Sequence, residues 1–424
     1  MAAPKQKRPA QHRDRSIQRL IHKDRLNCGD HRLEAPRLDT SHRHIAILGS
    51  VGVPACYGGF ETLAEQLARF HATNGRTERL SITCSAPAFA DHPRRFLATD
   101  LDYLPLPANG AASVLYDALS LSRARSSGAD VALLLGVSGA VALPDFKRGK
   151  MRVVVHVDGQ EWTRAKWSPS ARRFLRWSEG LAMCHADAII ADSPAIADDL
   201  WHRHGRRADV LSYGGDQAVG MPGVPLPAGL PDTYALAICR IEPENNVDMI
   251  LSACAATETA LVCVGNWNKS RYGRALRRRF GPHPKLHLLD PVYDPAPLQS
   301  LRRKAALYLH GHSAGGTNPS LVEMMHVGRP ILAYDCIFNH QTTRGAAQYF
   351  ADEAGLSDAL RQGQDPAMGA NLRMIAGRDY RWQDIGAAYF DLFERVANAP
   401  RRAGRVTPRS PFRSAMRSAP TNRR

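Results

Sequence analysis

No stretch of this chain is apolar for long enough to cross a bilayer. The longest uncharged run, residues 131 to 144, falls short of the ~20 residues a spanning helix needs and is interrupted by Gly136, Ser138 and Gly139. The first 43 residues contain no apolar core, which speaks against a secretory leader. Paired cysteines are missing as well. The eight cysteines, at 28, 56, 84, 184, 239, 254, 263 and 336, show no C-x-x-C spacing, so neither a zinc ribbon nor a disulfide framework is expected, and reduced thiols in a cytosolic protein are. His310 and His312 lack a third ligand at suitable spacing, so no metal site is expected and the pair is read as hydrogen-bonding groups of a cleft.

Acidic residues are also in short supply: 40 Asp and Glu against 56 Lys and Arg give a formal charge of +16. That balance suggests a nucleic-acid partner until its location is considered. Residues 1–43 carry eleven Lys and Arg against five acids, and 400–424 carry eight Arg and no acid, so fourteen of the sixteen excess charges lie in the two ends. A nucleic-acid binder carries its basic residues on a folded face; here residues 44–399 are nearly neutral. Both ends lack apolar periodicity, and they are expected to be disordered basic tails with affinity for an anionic membrane surface, each basic residue adding roughly 1 kcal/mol near it.

What remains is an ordinary globular composition, 44% apolar, over a length that accommodates two domains. Strand and helix patterns alternate twice. Strands at 44–49, 81–85, 131–135, 152–157 and 187–191 alternate with helices at 61–72, 112–126, 169–184 and 194–204. A proline-rich connector, PGVPLPAGLP at 222–231, separates them from a second series of strands at 234–239, 261–265, 285–289, 307–310 and 331–334. This predicts an α/β protein with two doubly wound, Rossmann-like lobes, 44–221 and 232–399, facing a central cleft.

The densest signal is LYLHGHSAGGTNPSLVEMMHVGRPILAYDCIFN, 307–339. It reads as a strand, a small-residue loop, a helix over 319–327 and a second strand. Asn318 is placed to cap the helix, Pro319 suits its first position, and Gly328 ends it. Gly315 and Gly316 let a ligand approach the backbone, and the amides of Thr317, Asn318 and Ser320 sit at the positive end of the helix dipole, where a phosphate binds. Glu323, one turn in, is placed to accept from vicinal hydroxyls such as those of a ribose. By itself the loop reads equally as a plain strand-to-helix turn. Gly49-Ser-Val-Gly, after the first strand, lacks the dinucleotide-binding glycine pattern. Arg240, directly after the first strand of the second series, has the fixed fork that suits a diphosphate. In the first series, Asp158 and Glu161 end the strand 152–157 with Trp162, Arg164 and Trp167 close behind, a mixture suited to carbohydrate hydroxyls and apolar sugar faces.

Several of these segments together carry a resemblance. HGHSAGGTNPSLVEMM, GSVGVPACYGGFETLAEQLA (49–68), VDGQEWTRAKWSPSARRFLRWSE (157–179), RIEPENN (240–246) and GNWNKSRYG (265–273) resemble bacterial retaining glycosyltransferases of the family 4 type, and within them a rhamnosyltransferase-like branch of surface-polysaccharide synthesis. The resemblance covers most of 44–395. It implies the GT-B architecture, a nucleotide-diphosphate sugar donor, foremost dTDP-rhamnose, and a lipid-linked saccharide acceptor. No cofactor is implied, and the site of action is the cytoplasm, peripherally at the inner face of the cytoplasmic membrane. It assigns Asp158, Glu161 and Arg240 to catalysis. The donor falls to Gly58, Gly59, Arg240, Lys269, His312, Gly315, Gly316, Thr317, Asn318 and Glu323. Gly58 through Glu61 lie near the donor phosphates or the acceptor.

The chain departs from the wider family at three positions. Asn245 stands where relatives have a lysine, which leaves Lys269 and Arg271 as candidates for the second phosphate charge. Gly315 stands where relatives have a sugar-binding glutamate. Asp158 stands roughly where relatives place a cleft histidine, with His156 adjacent. The rival readings are an epimerase-like enzyme on the same fold, acting on a nucleotide sugar alone, and a nucleic-acid-binding protein working through its tails.

Overall fold

The computed structural model describes residues 43–400 except 56–57, 147–148, 158, 160, 164–166, 221 and 227–228. The tails expected to be disordered therefore lie outside the described residues, apart from Arg43 and Pro400.

The first lobe runs β1 (His44–Leu48), α1 (Gly59–Thr73), β2 (Arg79–Ser85), β3 (Arg95–Phe96), β4 (Thr99–Leu104) and α2 (Ser113–Ser126). It continues with β5 (Val131–Leu135), α3 (Leu143–Phe146), β6 (Arg152–Val157), α4 (Pro169–His185), β7 (Ala188–Ala191), α5 (Pro194–His204) and β8 (Asp209–Val210). The eight strands lie in the order β3-β4-β2-β1-β5-β6-β7-β8, parallel throughout except for the short β3–β4 pair. Both faces are covered, which explains why β1 and β5 are buried at every position and, His44 apart, apolar rather than alternating. Ile45, Ile47, Val131 and Leu133 point to one core, packed by α1; Ala46, Leu48, Ala132 and Leu134 point to the other, packed by α2, α4 and α5.

The second lobe runs β9 (Ala235–Ile238), α6 (Val247–Ala256), β10 (Leu261–Val264), α7 (Arg271–Phe280), β11 (Leu286–Leu289), α8 (Pro295–Lys304) and β12 (Leu307–His310). It continues with α9 (Pro319–Val327), β13 (Ile331–Tyr334), α10 (Ile337–Thr343), β14 (Gln348–Phe350), α11 (Glu353–Gln362) and α12 (Pro366–Asp379). Its parallel sheet has the order β11-β10-β9-β12-β13-β14. The last helix, α13 (Trp382–Asn398), crosses back: Trp382, Ile385, Tyr389, Phe390 and Phe393 bury into the first lobe's core beside Leu63, Leu67 and Phe70 of α1. By packing, α13 belongs to the first lobe. No helix among the described residues is long and apolar enough to cross a membrane.

In each sheet the chain reverses its direction of travel once, between β1 and β5 and between β9 and β12. Ligands of open α/β sheets bind outside the carboxyl ends of the strands at such switch points. Arg240 follows β9 and His312 follows β12, so two of the second-lobe candidates from the sequence flank one switch point.

Candidate active site

The 307–339 segment folds as its punctuation dictates. Asn318 Oδ1 accepts from the Ser320 amide at 3.0 Å, Pro319 occupies the first turn, and Gly328 closes α9 in the left-handed region at φ 75°. The cap thereby consumes the Ser320 amide, which the sequence reading had left open to a ligand. The amides of Gly315, Gly316 and Thr317 donate to no protein group among the described residues, and they stand at the positive end of α9.

Two loops of the second lobe are stitched together beneath them. Ser313 donates both its amide (2.9 Å) and its hydroxyl (2.8 Å) to the Glu244 carbonyl, and Asn246 Nδ2 donates to the Gly311 carbonyl at 2.9 Å. Asn245, where the resembled family is expected to have a lysine, is the joint. Its Nδ2 donates to the Arg240 carbonyl at 2.7 Å, and its Oδ1 faces His312 Nδ1 at 2.8 Å. A carbonyl can only accept, so the amide's orientation is settled, and Nδ1 of His312 must carry the proton it gives to Oδ1. The His312 ring is thus held with Nε2 as its other polar atom. Arg240 keeps a partly exposed guanidinium, 3.8 Å from Glu242 and too far for a tight pair. Lys269 sits on an exposed turn at the end of β10, in a loop tied to this one by Ile241 N donating to Asn266 Oδ1 at 2.8 Å. Arg271 opens α7, a helix the sequence pattern did not reveal. Five arginines in ten residues hid the apolar spacing of Leu276 and Phe280 that buries the helix.

The first lobe meets this loop directly. Thr317 Oγ1 donates to the Asp192 carbonyl at 2.8 Å, and a Cβ on Gly316 would fall 1.6 Å from Asp192 Oδ1. A Cβ on Gly159 would fall 2.9 Å from the Gly315 Cα. A Cβ on Gly59 would fall 3.5 Å from Pro319 and from the Tyr213 ring. The carboxyl ends of β6 and β7 and the start of α1 therefore converge on residues 315–319, and the glycines are what let two backbones approach so closely. Asp192 was not singled out from sequence. Its signal was its place, the last residue of a parallel strand's exit before a Ser-Pro helix start.

Other expectations land differently. Glu61, read as a cleft residue, is buried, and its Oε1 accepts from the Val51 amide at 2.8 Å, fastening the loop that leads to Gly58. Glu161 Oε1 accepts from Trp167 Nε1 at 3.0 Å. Asp158 lies outside the described residues. His156 is fully buried, edge-on to Phe60 (5.3 Å) and parallel to Tyr389 (6.4 Å); burial lowers its pKa to about 3, as it does for His310. Both rings are neutral in the folded protein and part of its packing. Glu323 has both carboxylate oxygens engaged: Oε1 accepts from Gln217 Nε2 at 2.8 Å, and Oε2 pairs with Arg302 of α8. Gln217 Oε1 in turn accepts from Trp382 Nε1 at 2.6 Å. Arg302 is only 8% exposed and needs a counter-charge, so Glu323 is committed to the joint between α8, α9 and the crossing helix. No group of three or more metal-ligating side chains is found among the described residues.

This arrangement of lobes has solved counterparts. Sucrose-phosphate synthase from Thermosynechococcus elongatus superposes with a TM-score of 0.69 at 14% identity, over 84% of this chain and 99% of that one. The fold is GT-B. WaaG, a glycosyltransferase involved in lipopolysaccharide biosynthesis, gives 0.62 at 16% identity, over 82% and 99% of the two chains. HepE of Anabaena, solved in complex with UDP and glucose, gives 0.61 at 13% identity, over 83% and 100%. Residues 42–216 match a domain of unknown function, DUF1972, so the first GT-B lobe coincides with that domain. No curated protein matches the chain in sequence.

Proposed function

We propose that the chain is a glycosyltransferase whose second lobe holds a nucleotide-diphosphate sugar and whose first lobe presents the acceptor. The observation that carries this reading is the row of amides at Gly315, Gly316 and Thr317 that donate to no protein group among the described residues. They sit on the positive end of α9 at the lobe junction, beside the switch point that carries Arg240 and His312. As the sugar bond breaks, negative charge grows on the leaving diphosphate. Preorganised amides and a guanidinium stabilise that charge without reorganising, and the closely apposed lobes exclude water. In this reading the leaving diphosphate itself takes the acceptor hydroxyl's proton. Glu161 belongs to the acceptor side by its place after β6.

The ribose falls to Glu323. A carboxylate offers about four lone-pair directions, and protein groups take two, which leaves capacity for vicinal hydroxyls. The donor we favour is dTDP-rhamnose, because Gly315 supplies no carboxylate for the hydroxyls of a hexose. The acceptor we favour is a lipid-linked saccharide, with the basic tails at an anionic membrane surface. The test is a donor panel: turnover with dTDP-rhamnose should exceed that with UDP-glucose or GDP-mannose by more than ~10-fold, since unmatched buried polar groups discriminate strongly. Equal use of a donor bearing a 6-hydroxyl would remove the rhamnosyl assignment.

A further inference from the structure

Beside the cleft, on the first lobe, lies an open pocket of about 320 Å³ walled by Trp162, Thr163, Arg172, Arg173 and Arg176, within the range that holds small ligands. Its arginines differ from most others of the lobe. Arg69, Arg76, Arg79, Arg95, Arg123 and Arg152 each pair with a carboxylate. Arg172, Arg173 and Arg176 pair with none among the described residues, and Arg172 buries its Nε without a hydrogen-bond partner. They occupy the first two turns of α4, whose amino end is capped by Ser168 and adds its own positive dipole.

Two carboxylates beside Trp162 are already engaged, Glu161 by Trp167 Nε1 and Glu179 by several groups. Glu179, 1% exposed, accepts from Trp162 Nε1 at 3.2 Å through one oxygen and meets Arg203 and His204 through the other. Burial would raise its pKa, but those hydrogen bonds outweigh it and hold the carboxyl below its usual range, so Glu179 stays charged. The pair fixes the indole, and the fixed indole in turn holds the Arg176 guanidinium 5.3 Å from its ring centre. Three guanidiniums gathered on one wall without counter-charge among the described residues call for a multiply charged anion, and their forks match phosphate oxygens. Trp162 lies three residues, at most roughly 11 Å of chain, from Gly159, which touches Gly315 at the donor loop.

We propose that this pocket binds the diphosphate group of a lipid-diphosphate-linked acceptor, holding the saccharide toward the cleft. The inference rests on the glycosyltransferase reading and deepens it by naming the acceptor's charged group.

The test uses the full chain and farnesyl diphosphate as probe in equilibrium binding. Farnesol, inorganic pyrophosphate, UDP and phosphatidylglycerol vesicles form the other arms. Farnesyl diphosphate should bind, pyrophosphate should displace it, and farnesol and UDP should not. Arg173→Gln and Arg176→Gln, both at exposed positions where unfolding is not at issue, and Arg172→Gln should each weaken the probe about tenfold or more while UDP binding moves less than twofold. Equal affinity in all three variants, or displacement of the probe by UDP, would overturn the assignment. Variants that lose vesicle sedimentation but keep the probe would make the patch a membrane contact and also overturn it. Probe binding that follows the predicted pattern in a protein that transfers no sugar would leave the pocket standing and remove the function proposed above.

Discussion

The pairing of Glu323 gives the sharpest quantitative expectation. Glu323→Gln keeps the side chain's shape and one acceptor, but it leaves Arg302, 8% exposed, without its counter-charge. Removing one partner of a buried ion pair costs ~3–5 kcal/mol, and the lower end applies because the glutamine carbonyl can still accept from the guanidinium. An unfolding entropy of about 2.1 cal/mol/K per residue over a body of roughly 360 residues gives about 0.75 kcal/mol/K, so the melting temperature should fall by about 4 °C. Arg302→Met, which removes the stranded charge, should restore most of that in the double variant, with a coupling of ~2 kcal/mol or more. Calorimetry of the four proteins measures it directly. Additive single effects, or an unchanged melting temperature in Glu323→Gln, would refute the idea that the pair latches α8 to α9. The same proteins separate the two roles given to Glu323. If the double variant melts like the parent yet binds nucleoside diphosphate about tenfold more weakly, the carboxylate also serves the ribose; undiminished binding confines it to the joint.

Arg240→Ala should slow the chemical step by the ~2.7–4 kcal/mol that one transition-state donor supplies, and unchanged turnover would take Arg240 out of the mechanism. Gly316→Ala puts a methyl group 1.6 Å from Asp192 Oδ1, so the buried Asp192 side chain or the lobes themselves must shift there; a donor binding constant raised by tenfold or more is expected, and parent-like kinetics would contradict the closed junction. His156, its pKa lowered to about 3 against 6.5 in the unfolded chain, is neutral when folded and takes up a proton when unfolded. Its contribution to stability is therefore present above pH 6.5 and lost as pH falls toward 3, with a slope of at most about 1.4 kcal/mol per pH unit. His156→Phe should flatten that acid limb, and an identical limb in the variant would assign it to other groups. Deleting 1–43 and 400–424 should preserve transfer but reduce sedimentation with anionic vesicles, most visibly at low salt; undiminished sedimentation would move the membrane contact onto residues 44–399.

Much of the architecture could be read from pattern because parallel strands buried on both faces are short, largely apolar and punctuated by caps. Val131–Leu135, Arg152–Val157, Leu307–His310 and Pro319–Val327 have in the structure the bounds their residues suggest. Where charge masked periodicity, as in α7, or where strands are two to three residues long, as in β3 and β14, the pattern was too weak to see. The phosphate loop was legible because Asn318, Pro319 and the paired glycines act locally. The partners of its neighbours were not. Nothing near Glu323 in sequence announces Arg302, Gln217 or Trp382, and nothing near Thr317 announces Asp192, because those contacts are made by chain segments 21 to 125 residues away. His156 looked like a candidate for the cleft and proved to be packing, since a strand's last residues alternate between core and mouth and only the fold decides which.

The central claim, sugar transfer from a nucleotide-diphosphate donor bound at the Gly315–Thr317 amides, is tested most directly by one stoichiometric measurement. The full chain is incubated with dTDP-rhamnose carrying a labelled sugar and with lipid-linked saccharides, and nucleoside diphosphate release is counted alongside label in the lipid fraction, with NMR of the new linkage. One diphosphate released per sugar transferred, with the anomeric configuration retained, is the result expected. A donor returned intact or epimerised, with no label in the lipid fraction for any donor of the panel, would contradict it.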